Sequence, residues 1–175
     1  MMLKKIFFSL VMLIALLLII AAFLPKEFSL TAETTINAPQ IHVWNYVKSL
    51  TNQTHYSVRV MADPDIKLSY SGTDGTVGFR QARDSQVTNV GAGEQEITAM
   101  EEGQSYQVEI RFLRPMQWIN YAKTTLESLG SGQTKVTNTF RGNNPRPMNL
   151  ISKLFLPQVR RDMQQTMDNL KKELE

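Results

Sequence analysis

Hydrophobic and polar positions change their period along this chain, and each change predicts a different kind of element. From Ile6 to Leu24 every residue except Ser9 is apolar. As a helix rising about 1.5 Å per residue, that run nearly spans a hydrocarbon core about 30 Å thick. Beyond it the apolar positions thin out. Phe28 to Ile36 mixes β-branched and alternating residues and predicts a strand that stops at Asn37-Ala38-Pro39. Asn37 can cap a helix and Pro39 suits its first turn, after which Val43, Trp44 and Val47 supply an apolar stripe that ends near Leu50. Thr51 to Pro64 shows no period.

Strand-like runs then follow at Ile66–Ser71, Thr76–Arg83, Gly93–Met100, Ser105–Phe112, Ile119–Leu129 and Lys135–Arg141, separated by turn residues such as Glu101-Glu102-Gly103 and Gly130-Ser131-Gly132. Between Ser105 and Phe112, the residues Tyr106, Val108, Ile110 and Phe112 alternate with Gln107, Glu109 and Arg111. One dry face and one wet face require that pattern. No crossover helices intervene, so an antiparallel meander is expected. At the C-terminus Val159, Met163, Met167, Leu170 and Leu174 recur at helical spacing. Pro157 fits the first turn of that helix, with Asn143 to Pro147 as a loop before it. Arg160, Arg161, Asp162, Lys171 and Lys172 form its polar face, read as solvated. The fold class is therefore α+β: a curved antiparallel sheet of about seven strands on a long C-terminal helix, preceded by one transmembrane helix.

Charge sets the topology. Lys4 and Lys5 precede the apolar run while Lys26 and Glu27 cancel after it, so the positive-inside rule places the N-terminus in the cytoplasm and the domain outside. Residues 1–25 are expected to be an anchor and residues 26–175 a single domain, within the usual size range. A cleaved signal peptide is the competing reading, although Ile6–Leu24 exceeds its usual apolar length of about 7–15 residues. Of the 19 lysines and arginines, those beyond the anchor nearly balance the 16 acids. Such neutrality argues against nucleic acid as a partner. With no cysteine and only two histidines, far apart, neither a metal nor another cofactor is expected. Gly72, Gly75 and Gly78 sit between two strands and do not form a dinucleotide fingerprint.

A strand, a helix, an antiparallel meander and a long terminal helix is the order of the START-like helix-grip superfamily (SRPBCC). Thr35-Ile36-Asn37-Ala38-Pro39 with Val43, Trp44 and Val47, then Tyr70-Ser71-Gly72 with Gly75 and Gly78, Glu96-Ile97 and Asp168-Asn169-Leu170-Lys171 carry the likeness. Over about residues 30–172 the chain resembles the polyketide-cyclase-like branch. At Thr54-His55-Tyr56-Ser57 it departs from the tryptophans common there. The resemblance implies acid–base chemistry by pocket side chains in the enzymes of the branch, for which His55, Tyr56 and Glu96 are the candidates here. None has a partner at recognisable spacing. His42 falls on the solvated side of its helix.

An amphipathic helix across a curved sheet can leave a cavity suited to a lipid or other hydrophobe. Its sheet side would offer Tyr70, Phe79, Ile97, Tyr106, Val108, Ile110 and Phe140, with Asn138 as a rare polar group. Its helix side would offer Val159, Met163 and Met167, the methionines giving pliability. A solid core fits the same periodicity. Three functions stay open: an anchored binding protein for a hydrophobic ligand, a cyclase- or dehydratase-like enzyme, and an anchored interaction or stress module.

Overall fold

The computed structural model describes residues 2–175. Its first helix, α1 (Met2–Phe23), is exposed on nearly every side, with only Ala21 buried. A helix apolar all round and uncovered by protein is suited to lipid. By length and composition α1 can cross a membrane.

The remainder runs β1 (Glu27–Ile36), α2 (Gln40–Val47), a 3-10 turn at Leu50–Asn52, α3 (Gln53–Tyr56), α4 (Val58–Met61), β2 (Lys67–Ser71), β3 (Arg80–Asp84), β4 (Ala92–Glu101), β5 (Ser105–Arg114), β6 (Trp118–Gly130), β7 (Gln133–Asn143) and α5 (Met148–Leu174). All seven strands form one antiparallel sheet in the order β1-β7-β6-β5-β4-β3-β2. Register shifts at Ile97/Ala99 and Ser128/Gly130 add the local twist that bends such a sheet. The α+β helix-grip expectation holds, including the meander and the covering helix.

Several local expectations are corrected. Asn37 does not cap α2: Pro39 occupies the cap position, and Asn37 instead accepts from Gln133 Nε2 at 2.7 Å. Thr51–Pro64, without a period, folds as short helical turns too brief to show one. The strand expected from Thr76 begins only at Arg80. The largest correction is α5, which starts at Met148 and carries Pro157 in its interior. Proline disfavours a helix interior because it lacks an N–H and crowds the preceding turn, at about 3 kcal/mol. The turns before it persist because they are anchored elsewhere. Asn149, 1% exposed, donates through Nδ2 to Ala21 O at 2.8 Å and Leu24 O at 3.0 Å.

Packing is unequal along the sheet. At one end Ile36, Val43, Trp44, Val47, Leu50, Ile97, Val136 and Leu170 are almost wholly buried in a continuous core. Trp44 also donates through Nε1 to Glu102 at 2.8 Å, which ties α2 to the β4–β5 turn. At the other end the helix and the sheet diverge.

Candidate functional site

Between α5 and the diverging end of the sheet lies a cavity of about 410 Å³. Its sheet wall follows from strand register, because cross-strand partners share a face. The row nearest the start of α5 is Arg83–Gly93–Phe112–Trp118. Next comes Gln81–Gln95–Ile110–Asn120–Gly142–Phe28. Deeper rows place Val108, Ala122 and Phe140 together, then Tyr106, Thr124 and Asn138. Helix α5 closes the opposite wall with Met148, Phe155, Val159, Met163, Met167 and Leu170.

Each site residue expected from the sequence can now be placed. Tyr106, Val108, Ile110, Asn138, Phe140, Val159, Met163 and Met167 line the cavity. Three do not. Phe79 and Ile97 are buried in the packed core, at 2% and 0% exposure, because the α2 side of the fold fills the sheet there. Tyr70 lies on the edge strand β2, 45% exposed, stacked outside on Phe79 with ring centres 6.1 Å apart. Alternation assigned them to a face without saying which stretch of that face is hollow.

Polarity is asymmetric. On the β5–β7 side the wall is mostly aliphatic and aromatic, but on the β3–β4 side Gln81, Arg83 and Gln95 meet Gln53 and Arg59. Gln95 Nε2 donates to Gln53 Oε1 at 2.6 Å and also to Gln81 Oε1. Arg59 donates through Nη1 to Asn89 O at 2.8 Å. Asp162, expected on the solvated face, is a lining residue of this cavity. It accepts from Gln158 Nε2 at 2.6 Å. Space for two side chains is made by glycine. A Cβ at Gly93 would lie 2.7 Å from Arg111 O and 3.3 Å from Arg83 Nη2, while one at Gly142 would collide with the Asn120 amide.

Deep in the cavity Asn138 Nδ2 donates to Thr124 Oγ1 at 3.0 Å. Burial raises the hydroxyl pKa values of both Tyr56 and Tyr106, so both remain protonated at neutral pH. His55 is exposed, 3.2 Å from the Tyr46 hydroxyl and outside the cavity. Glu96 faces the opposite side of the sheet, paired with Arg80 at 3.1 Å and Arg111 at 2.8 Å. Of the acid–base candidates, only Tyr56 reaches the cavity. Among the described residues no group of three or more His, Asp and Glu side chains gathers in a metal-binding arrangement.

Sequence reasoning missed Gln53, Arg59, Gln81, Arg83, Gln95 and Asn120. A signal existed for two of them: Gln81 and Arg83 continue the i, i+2 alternation of Phe79 and so share its face.

Sheet, covering helix and internal cavity together define a START-like helix-grip protein. The chain belongs to the family described as polyketide cyclase / dehydrase and lipid transport, which matches residues 27–175. No curated protein matches the sequence. Solved structures resemble it in fold. A protein from Nitrosospira multiformis is 13% identical with a TM-score of 0.61, the match covering 85% of this chain and 97% of that one. A hypothetical protein from Helicobacter pylori is 11% identical with a TM-score of 0.64, covering 86% and 89%. Norcoclaurine synthase from Thalictrum flavum, solved with dopamine and hydroxybenzaldehyde, is 12% identical with a TM-score of 0.62, covering 84% and 86%.

Proposed function

We propose that residues 1–25 anchor the protein in a bilayer and that residues 26–175, outside the cytoplasm, bind a lipid or another small hydrophobic molecule without transforming it. The observation that carries this reading is the cavity of about 410 Å³, within the range of small-molecule sites, whose wall is predominantly apolar. Its rim adds support. Met116, Ile151 and Phe155 line the cavity yet are 41%, 43% and 62% exposed. Ile151 and Phe155 belong to the first turns of α5, which Asn149 ties to the end of α1. An apolar mouth beside a membrane-spanning helix lets a lipid pass from bilayer to cavity with little exposure to water.

The binding reading is favoured over catalysis by the placement of the acid–base candidates. His55 and Glu96 lie away from the cavity, and the tyrosines within it stay neutral. The family description names both cyclase or dehydrase activity and lipid transport. This cavity fits the second better.

Native mass spectrometry of the full chain, extracted in a neutral detergent, tests the proposal. A co-purifying apolar adduct, or saturable adducts with added methyl hexadecanoate, is expected. If neither forms, binding is the wrong function. If an added candidate returns chemically altered, the protein is an enzyme.

A further inference from the structure

The polar corner of the cavity carries a charge that the protein itself does not neutralise. Arg83 Nε and Nη2 are fully buried with no hydrogen-bond partner among the described residues, and so is Gln81 Nε2 beside them. Among the described residues no acid is paired to Arg83: Asp84 binds Arg114, and Asp63 accepts from Ser85 at 2.5 Å. Its guanidinium is nevertheless held in place. Phe112 lies with its ring centre 5.4 Å from Cζ, and Gly93 opposite leaves the room a side chain would occupy. Arg59 adds a second cation to the same cavity, only partly offset by Asp162. Burial, then repulsion from Arg59, pushes the Arg83 pKa down to about 10, so the group is still charged at neutral pH. Buried donors of one sign, unpartnered and fixed in orientation, are costly unless an acceptor arrives. A guanidinium fork matches the oxygens of a carboxylate or phosphate.

We propose that the cavity takes an amphiphile with a small anionic head, a carboxylate or a phosphate, which Arg83 binds beside Arg59 while the apolar body lies along β5–β7 and α5. This rests on the hydrophobic-ligand reading and names its chemical class. The layout supports it. Arg83 stands in the sheet row that ends at Trp118, and the β5–β7 wall beyond it carries Ile110, Val108, Ala122 and Phe140. Head and tail would therefore each meet a matching surface. A free small anion would leave the apolar wall unused, and a neutral hydrophobe would leave the Arg83 donors unpaired.

The experiment is a competition read by native mass spectrometry on the full chain in neutral detergent, with equimolar hexadecanoic acid, hexadecyl phosphate and methyl hexadecanoate. Adducts of the anionic ligands should exceed the ester adduct roughly tenfold or more, the discrimination expected of charge-assisted hydrogen bonds. The ratio of acid to phosphate adduct tells which head is preferred. Arg83→Met should bring anion and ester adducts near parity while keeping the ester, and Arg83→Lys should retain an intermediate preference. Removing an unpartnered buried charge should also leave the ligand-free melting temperature unchanged or raised. Should Arg83→Met not fold, the wild-type ratio and Arg83→Lys decide.

Ester bound as well as acid by the wild type would overturn this proposal alone, as would a preference that survives Arg83→Met. Displacement of hexadecanoic acid by millimolar inorganic phosphate would also overturn it, because the site would then be one for free anions. Absence of any adduct would overturn it together with the binding function.

Discussion

Replacing Ala122 by phenylalanine separates a hollow from a packed core. Ala122 lies on the inner face of β6 between Val108 on β5 and Phe140 on β7, half-buried and lining the cavity. A void of about 150 Å³ accommodates a benzene molecule. This one measures about 410 Å³, so the new ring enters without displacing its neighbours. Its burial contributes up to about 1.5–3 kcal/mol. Contact with Phe140 adds about 0.5–1.5 kcal/mol. Lost rotamer freedom offsets part of both. The expected net effect is from about zero to 2 kcal/mol of added stability, with the ring occupying the middle of the wall along which a ligand's apolar body would lie. The control is Val136→Phe at the packed end, where a 0% exposed valine has no such space. Overpacking there should cost about 1–3 kcal/mol. Urea melts of the full chain in neutral detergent, followed by circular dichroism, give both stabilities. Native mass spectrometry with methyl hexadecanoate gives occupancy, which should fall strongly in Ala122→Phe. If Ala122→Phe loses as much stability as Val136→Phe and still forms the adduct, the cavity does not hold the ligand and the reasoning from its volume fails.

Met167, 5% exposed, belongs to both the core cluster and the cavity wall. Met167→Ala should therefore cost near the lower end of about 2–5 kcal/mol, and Met167→Asp should unfold the domain or expel the ligand; an unchanged melt with unchanged adduct formation would contradict the helix-grip packing. Asp74 feels burial, which raises its pKa, but bonds from the Ser49 and Thr51 hydroxyls and the Leu50 and Thr51 amides outweigh it and hold the pKa below the usual value. Its stabilisation is thus complete above the unfolded carboxylate pKa of about 3.9 and is lost as pH falls through the lower folded value. Asp74→Asn should cost about 1–3 kcal/mol at pH 7 and flatten the acid limb of the stability curve. Protease added to sealed, right-side-out vesicles should remove the domain while α1 stays protected, and survival of the domain beside cleaved exposed controls would reverse the topology.

The elements of this protein are legible in its sequence because their signals are local. Alternation from Tyr106 to Phe112 needs no knowledge of neighbouring strands to define a dry face, and the stripe Val159–Met163–Met167–Leu170 defines a helix face in the same way. The apolar run Ile6–Leu24 declares a possible membrane span by length alone. Its limit shows at Pro157: a local rule started the helix there, while contacts between Asn149 and the end of α1, far apart in sequence, hold the earlier turns that extend it to Met148.

Which part of the dry face is solid and which is hollow belonged to the tertiary structure. Phe79, Ile97 and Val108 read alike in the sequence, yet the α2 end covers the first two, while the separation between the sheet and the first half of α5 leaves the third lining a space. The same divergence turned Arg83 from the last residue of a strand into a half-buried cation lining that space, with Nε and Nη2 out of solvent. Periodicity reports which way a side chain points from its own backbone. How far away the opposing wall stands, and whether a charge meets a partner across it, depends on residues distant in the chain.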